Sequence, residues 1–204
     1  MILHNIVGVL LAGGESRRFG QPKAFAKFKE LTFWEHSYDA MKNITDRQLI
    51  ISHPALVERF RDDSLCQVFT DNEEVKGKGP LAGIYTAMEI ENAEWFVVLS
   101  CDIPYINEKT IQTLLDLRHQ NVKAVIPNIK GKLHPLIGVY HKSILSIISK
   151  QLENHEHKMI SLLEKIAVLY VSENDIDVDL KSFSNINSQK DYLQLGIDEN
   201  KTDY

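Results

Sequence analysis

The segment Leu11-Ala12-Gly13-Gly14-Glu15-Ser16-Arg17-Arg18-Phe19-Gly20-Gln21-Pro22-Lys23 has the residue types that hold phosphate. Glycines lack Cβ, so their N–H groups can approach phosphate oxygens closely and their φ can be positive. Arg17, Arg18 and Lys23 supply local positive charge in a chain of formal net charge −5. Two familiar phosphate loops are excluded. A P-loop needs Gly-Lys-Ser/Thr after its spacer, and here the lysine follows Gln-Pro. A dinucleotide fingerprint needs G-x-G-x-x-G, and these glycines are adjacent. A lone Gly-Gly would be read as a turn with solvated basic residues. Three basic residues in the same strand-to-loop segment favour phosphate.

Two carboxylates could complete such a site. Asp71 follows the apolar run Gln67–Thr70, and Asp102 follows Trp95–Ser100 through Cys101. In open α/β sheets, ligands bind beyond the carboxyl ends of the strands. An acid beside a polyphosphate repels it unless a cation intervenes, and Mg²⁺ binds through one or two carboxylates plus phosphate oxygens. A turn or capping role is the alternative. Asp71-Asn72 suits that alternative well. Asp102-Ile103-Pro104 suits it less, because a long apolar strand leads straight to the acid.

These residues need a scaffold. Ile6–Leu11, Gln48–Ser52, Gln67–Thr70, Trp95–Ser100 and Ala124–Pro127 read as strands. Helical patterns lie between them at Thr32–Lys42, Ala55–Arg61, Leu81–Ile90 and Glu108–His119, the last capped by Asn107. Gly79-Pro80 reads as the turn opening the helix at Leu81. Further on, Leu133–Tyr140 reads as a strand, Ser143–Leu152 and Lys158–Lys165 as helices, and Val168–Val171 as a last strand. Ser188–Leu195 reads as a closing helix. The alternation predicts an α/β fold, a mostly parallel sheet with helices on both faces in a Rossmann-like three-layer sandwich.

The bulk properties fit one domain over residues 1–197 with a polar tail at 198–204. The chain has 204 residues, 44% hydrophobic and 25% charged. An acidic balance gives no global field for nucleic acid or anionic membrane. Two cysteines, Cys66 and Cys101, make no disulfide framework. The apolar start lacks a basic n-region, and no run approaches a membrane span, so the expected location is the cytoplasm. His155-Glu156-His157 does not place both rings on one helical face and reads as a solvated turn. The series Trp34, Tyr38, Met41 reads as core.

The wider pattern LAGG-x-S-x-R-[MF]-G-x-x-K resembles the signature of the sugar-nucleotide-type nucleotidyltransferases. Its LAGG form looks most like the molybdenum cofactor guanylyltransferase family. Cys101-Asp102-Ile103-Pro104, Gly79-Pro80-Leu81-Ala82-Gly83, His134-Pro135 and Asn185-Ile186-Asn187-Ser188 resemble further motifs of that family, in the right order. The resemblance implies the nucleotide-diphospho-sugar transferase type of fold. It also implies transfer of GMP from GTP to the terminal phosphate of molybdopterin cofactor, with Mg²⁺, releasing pyrophosphate.

By the same resemblance, Leu11, Ala12, Gly13, Gly14, Lys23, Ser52, Asp71 and Asp102 bind nucleotide. Arg18, Lys23 and Asp102 act in catalysis, with Asp102 on the metal. Gly79, Pro80, Leu81, His134, Asn185 and Asn187 face the acceptor. Transient contacts with other molybdenum cofactor proteins would follow. Two positions depart from the family: Pro22 replaces the usual Asp before Lys23, and Ser52 stands where relatives often carry Asn. A cytidylyltransferase acting on molybdopterin or another phosphorylated acceptor is the nearest alternative activity. A non-catalytic nucleotide-binding regulatory domain is the alternative of another class.

Overall fold

Strand β1 (Ile6–Ala12) alternates between two cores. Val7 and Val9 pack on one face of the sheet, while Leu10 and Ala12 pack on the other. A strand buried on both faces must read as a continuous apolar run, which explains why β1 showed no polar alternation. β6 (Trp95–Ser100) behaves alike: Phe96 and Val98 join the core of β1's Val7, and Val97 and Leu99 the opposite one.

The computed structural model describes residues 5–14, 19–61 and 66–199. After β1 come a short hairpin, β2 (Lys27–Phe28) with β3 (Leu31–Thr32), and helix α1 (Phe33–Lys42). Then follow β4 (Arg47–Ser52), α2 (Val57–Arg61), β5 (Gln67–Phe69), α3 (Pro80–Ile90), β6 and α4 (Glu108–Asp116). The second half holds β7 (Ala124–Ile129), β8 (Lys132–Leu133), β9 (Ile137–His141), α5 (Leu145–Glu153), α6 (Met159–Leu163), β10 (Val168–Val171) and α7 (Gln189–Glu199).

The main sheet runs β10-β7-β9-β6-β1-β4-β5, with β8 paired to β7. β1, β4, β5 and β6 are mutually parallel, and β10 is parallel to β7. β9 alone in this path is antiparallel to both of its neighbours. The mostly parallel, three-layer α/β architecture expected from the sequence is the one observed. From β1 the chain goes outward to β4 and β5 on one side, then returns to β6 on the other. That reversal makes a topological switch point at the carboxyl ends of β1 and β6, where open α/β sheets bind ligands.

Some element limits differ from expectation. The run 133–140 is not one strand. Pro135 has no N–H to give a ladder, and Ile137 N instead donates to His134 O at 3.0 Å in a turn before β9. The helix expected at 55–61 opens with a 3₁₀ turn, Pro54–Leu56, and the one at 143–152 with Lys142–Ile144. Asn107 caps α4 as expected, its side chain accepting from Thr110 N at 3.0 Å. α7 extends to Glu199, two residues into the segment expected as a tail.

Candidate active site

The strand registers decide what meets at the switch point. The last pairs are Leu11 with Ser100, Ala12 with Ser52, and Ile51 with Phe69. Carried one or two residues onward, they set Asp102, Gly13, His53 and Asp71 side by side at the ends of β6, β1, β4 and β5. Adjacent strands lie about 4.8 Å apart, so Asp102 and Asp71 stand about 14 Å apart across the row. All four residues line one cavity of about 570 Å³. Leu11, Ala12, Gly14, Lys23 and Ser52 line it as well.

Lys23 and Asp102 form the polar centre of this cavity. Lys23 Nζ donates to Asp102 Oδ2 at 3.0 Å, to Asn187 Oδ1 at 3.2 Å and to Ile186 O at 3.3 Å. Asp102 Oδ1 accepts from Ser100 Oγ at 2.6 Å and Asn185 Nδ2 at 3.1 Å. Ile186 N donates to Asp102 O at 2.8 Å. The two charged side chains are 16% and 15% exposed. The segment Asn185–Asn187 thus grips the Lys23–Asp102 pair from the side of α7. The resemblance had associated both asparagines with an acceptor; the structure places them directly on the lysine and carboxylate.

At the far end, Asp71 is half-buried, and burial raises its carboxyl above the usual carboxylate range. A backbone hydrogen bond from Gly77 and the nearby His53 and Lys76 oppose that rise. Asp71 and Asp102 cannot share one ion. Ligands on a single Mg²⁺ sit about 2.1 Å from it, hence within about 4.2 Å of each other.

Gly79 and Pro80 line the cavity and open α3 toward it. Gly79 has φ 75° and ψ −162°, a region open essentially only to glycine. The first turn of α3 holds no acidic residue, so no side-chain charge offsets the positive end of the helix dipole there. Gly79→Ala is expected to cost about 1–3 kcal/mol of stability and to raise KM for the acceptor. Chemical denaturation and steady-state kinetics on the same protein would check this; an unchanged midpoint would contradict the strain argument.

Other expected residues fall elsewhere. Leu81 is fully buried in the core, so its side chain does not line the cavity. His134 is 7% exposed and packs its ring 5.6 Å from that of Phe183. Leu136, two residues on, does line the cavity. Burial, with Lys132 nearby, lowers the His134 pKa from 6.5 to about 4. The unfolded chain then binds the extra proton first, so stability contributed by neutral His134 is lost as pH falls from 6.5 toward about 4. His134→Gln is expected to flatten the acid limb of a stability-against-pH curve. An identical slope in the variant would refute the assignment.

Arg18, with Arg17, lies outside the described residues. Ser100, His53, Thr70, Lys76 and Leu136 line the cavity without having been singled out from sequence. For Ser100 a signal existed: it closes β6 only two residues before Asp102, within reach of that carboxylate.

Among the described residues, no three His, Cys, Asp or Glu side chains gather as a ready-made metal centre. Asp102 alone nevertheless fits a hard dication. Its Oδ1 is engaged twice, while Oδ2 receives Lys23 and has lone-pair capacity left. One carboxylate, with phosphate oxygens and water completing the shell, is a common Mg²⁺ arrangement. Burial and the adjacent Asp102 push the Cys101 thiol up to about 12, away from the thiolate form.

Comparison with known proteins agrees with this geometry. The model of the MobA-like NTP transferase domain matches residues 8–168. A protein of Bacillus velezensis named "Probable molybdenum cofactor guanylyltransferase" is 42% identical, covering 93% of this chain and 94% of its own. One of the same name from Halalkalibacterium halodurans is 41% identical, covering 91% and 94%. Among solved structures, molybdopterin-guanine dinucleotide biosynthesis protein A from Archaeoglobus fulgidus superposes with a TM-score of 0.82. It is 20% identical and covers 96% of this chain and 99% of its own, a likeness of fold. With a glycine loop, a lysine–carboxylate pair and a switch-point cavity in one place, the chain belongs to the MobA-like NTP transferase family and is a nucleotidyltransferase.

Proposed function

We propose that the protein transfers GMP from GTP to the terminal phosphate of molybdopterin cofactor, using Mg²⁺ and releasing pyrophosphate. The observation that carries this reading is the Lys23–Asp102 pair, 3.0 Å apart, at the end of β6 beside the glycine loop. The relatives' printed activity supplies the identity of the two substrates.

The chemistry needs little from the protein beyond placement and charge. An oxygen of the acceptor phosphate attacks the α-phosphorus of GTP, and the bond from that phosphorus to the bridging oxygen of pyrophosphate breaks. The attacking phosphate is already an anion at neutral pH, so no general base is required. What must be overcome is the meeting of two anions in line. Backbone N–H groups of Ala12–Gly14 hold the phosphates. Lys23 neutralises charge gathering on the α-phosphate and the leaving group, and the same part is assigned to Arg18. Asp102 would hold Mg²⁺, which supplies Lewis acidity and a template when bound. Asp71, too distant for that ion, accepts from the base. Asn185 and Asn187 keep Lys23 and Asp102 in position, and the acceptor enters between them and the opening of α3. The setting for this reaction is the cytoplasm.

Incubating the purified protein with molybdopterin, Mg²⁺ and each of GTP, CTP, ATP and UTP tests the reading. Pyrophosphate release with GTP is the expected result. Release with CTP instead would make the protein a cytidylyltransferase. GTP binding without pyrophosphate would make it a regulatory binding domain.

A further inference from the structure

His53 sits between Gly13 and Asp71 in the row of strand ends and lines the cavity with its side chain exposed. Its neighbour Ser52, at the position where the family often carries Asn, is 2% exposed. Ser52 Oγ donates to the carbonyl of His53 at 3.2 Å, so that hydroxyl is already engaged by the backbone. The polar group offered to a ligand at the end of β4 is therefore the imidazole.

Its proton is fixed by a local bond. Ala55 N donates to His53 Nδ1 at 3.2 Å, in the cap of the 3₁₀ turn Pro54–Leu56. A neutral ring accepting at Nδ1 carries its hydrogen on Nε2. The wall thus presents an N–H donor from β4 next to a carboxylate from β5. Lys23 and Asp102 stand at the other end of the row, about 14 Å from Asp71 by strand spacing, so the phosphates and the base lie at opposite ends. A donor beside an acceptor matches guanine. Its N1–H and N2–H₂ can serve Asp71, and its O6 and N7 are both acceptors. Cytosine offers the N4–H₂ donor where guanine has O6, and adenine offers N6–H₂.

We infer that His53 Nε2–H is a specificity-determining donor to the O6/N7 edge of guanine, acting beside Asp71. This rests on the guanylyl-transfer reading above. His53→Ser keeps an oxygen able to cap the turn but cannot reach the base. His53→Gln keeps a side-chain N–H donor of greater reach. His53→Ser is expected to raise KM for GTP about fivefold to tenfold, the worth of one neutral hydrogen bond. Its kcat at saturating GTP should stay within about twofold of wild type, as loss of uniform binding requires. His53→Gln should recover most of the KM.

Calorimetric binding of GTP, 7-deaza-GTP and 6-thio-GTP then reads the contact without turnover. Wild type should bind at least one analogue more weakly than GTP, and His53→Ser should bind all three alike. The inference falls if His53→Ser binds GTP as wild type does. It falls equally if wild type accepts both analogues as well as GTP, or if His53→Ser keeps the wild-type discrimination. Wild-type preference for CTP would instead sink the guanylyl reading and this inference with it.

Discussion

Asp102→Asn should lower kcat for pyrophosphate release by about 10³-fold, and the loss of its ion pair with Lys23 should lower the unfolding midpoint as well. The substitution keeps the shape of the side chain. Its carbonyl oxygen can still accept from Ser100 Oγ and Asn185 Nδ2, the two donors that now engage Oδ1. What disappears is the negative charge on Oδ2, which faces Lys23 Nζ at 3.0 Å. An amide there is a poor ligand for a dication and turns an N–H₂ toward an ammonium. GTP affinity measured without Mg²⁺ should not fall, because a carboxylate near phosphates repels them. Activity within about tenfold of wild type would rule out Asp102 as the metal-holding group.

Lys23→Ala should carry two separable penalties. The first is kinetic: removing a cation aimed at developing charge costs about 10²- to 10³-fold in kcat. The second is structural. Lys23 Nζ ties Asp102 to Asn187 and to the carbonyl of Ile186, so its loss leaves a carboxylate only 15% exposed beside unpaired acceptors. Such a loss costs about 1–3 kcal/mol, visible as a lower unfolding midpoint. Lys23→Arg should not rescue the rate, since three acceptors around one point suit an ammonium and not a planar fork. Single-turnover kinetics beside equilibrium denaturation would separate the two effects. A defect confined to acceptor KM would move Lys23 to the other substrate.

Much of the fold was legible because parallel strands covered on both faces must be apolar throughout. β1 and β6 fall where short Val- and Leu-rich runs place them. The direction of β9 was not legible, since an apolar run has no sign and antiparallel pairing arises only from its neighbours β6 and β7. The β2–β3 hairpin was too short to leave a pattern. In the site, Gly13, Lys23 and Asp102 announced themselves through local chemistry. Asn185 did not, because its partner Asp102 lies 83 residues away and only the fold joins them. His53 was hidden by its turn: beside Pro54 it looks like punctuation, and only the register with Gly13 and Asp71 makes it a wall of the cavity.

The grip of Asn185–Asn187 on Lys23 and Asp102 also orders events during synthesis. Lys23 and Asn187 are separated by 164 residues, and Asn185 reaches Asp102 only after β10 has been made. A nascent chain released at residue 184 would hold all strands of the main sheet and the glycine loop, yet lack the clamp on its reactive pair. That clamp is therefore among the last contacts the growing polypeptide can complete. A half-made molecule on the ribosome exposes no finished centre to its nucleotide, and premature termination anywhere upstream yields a chain without that clamp.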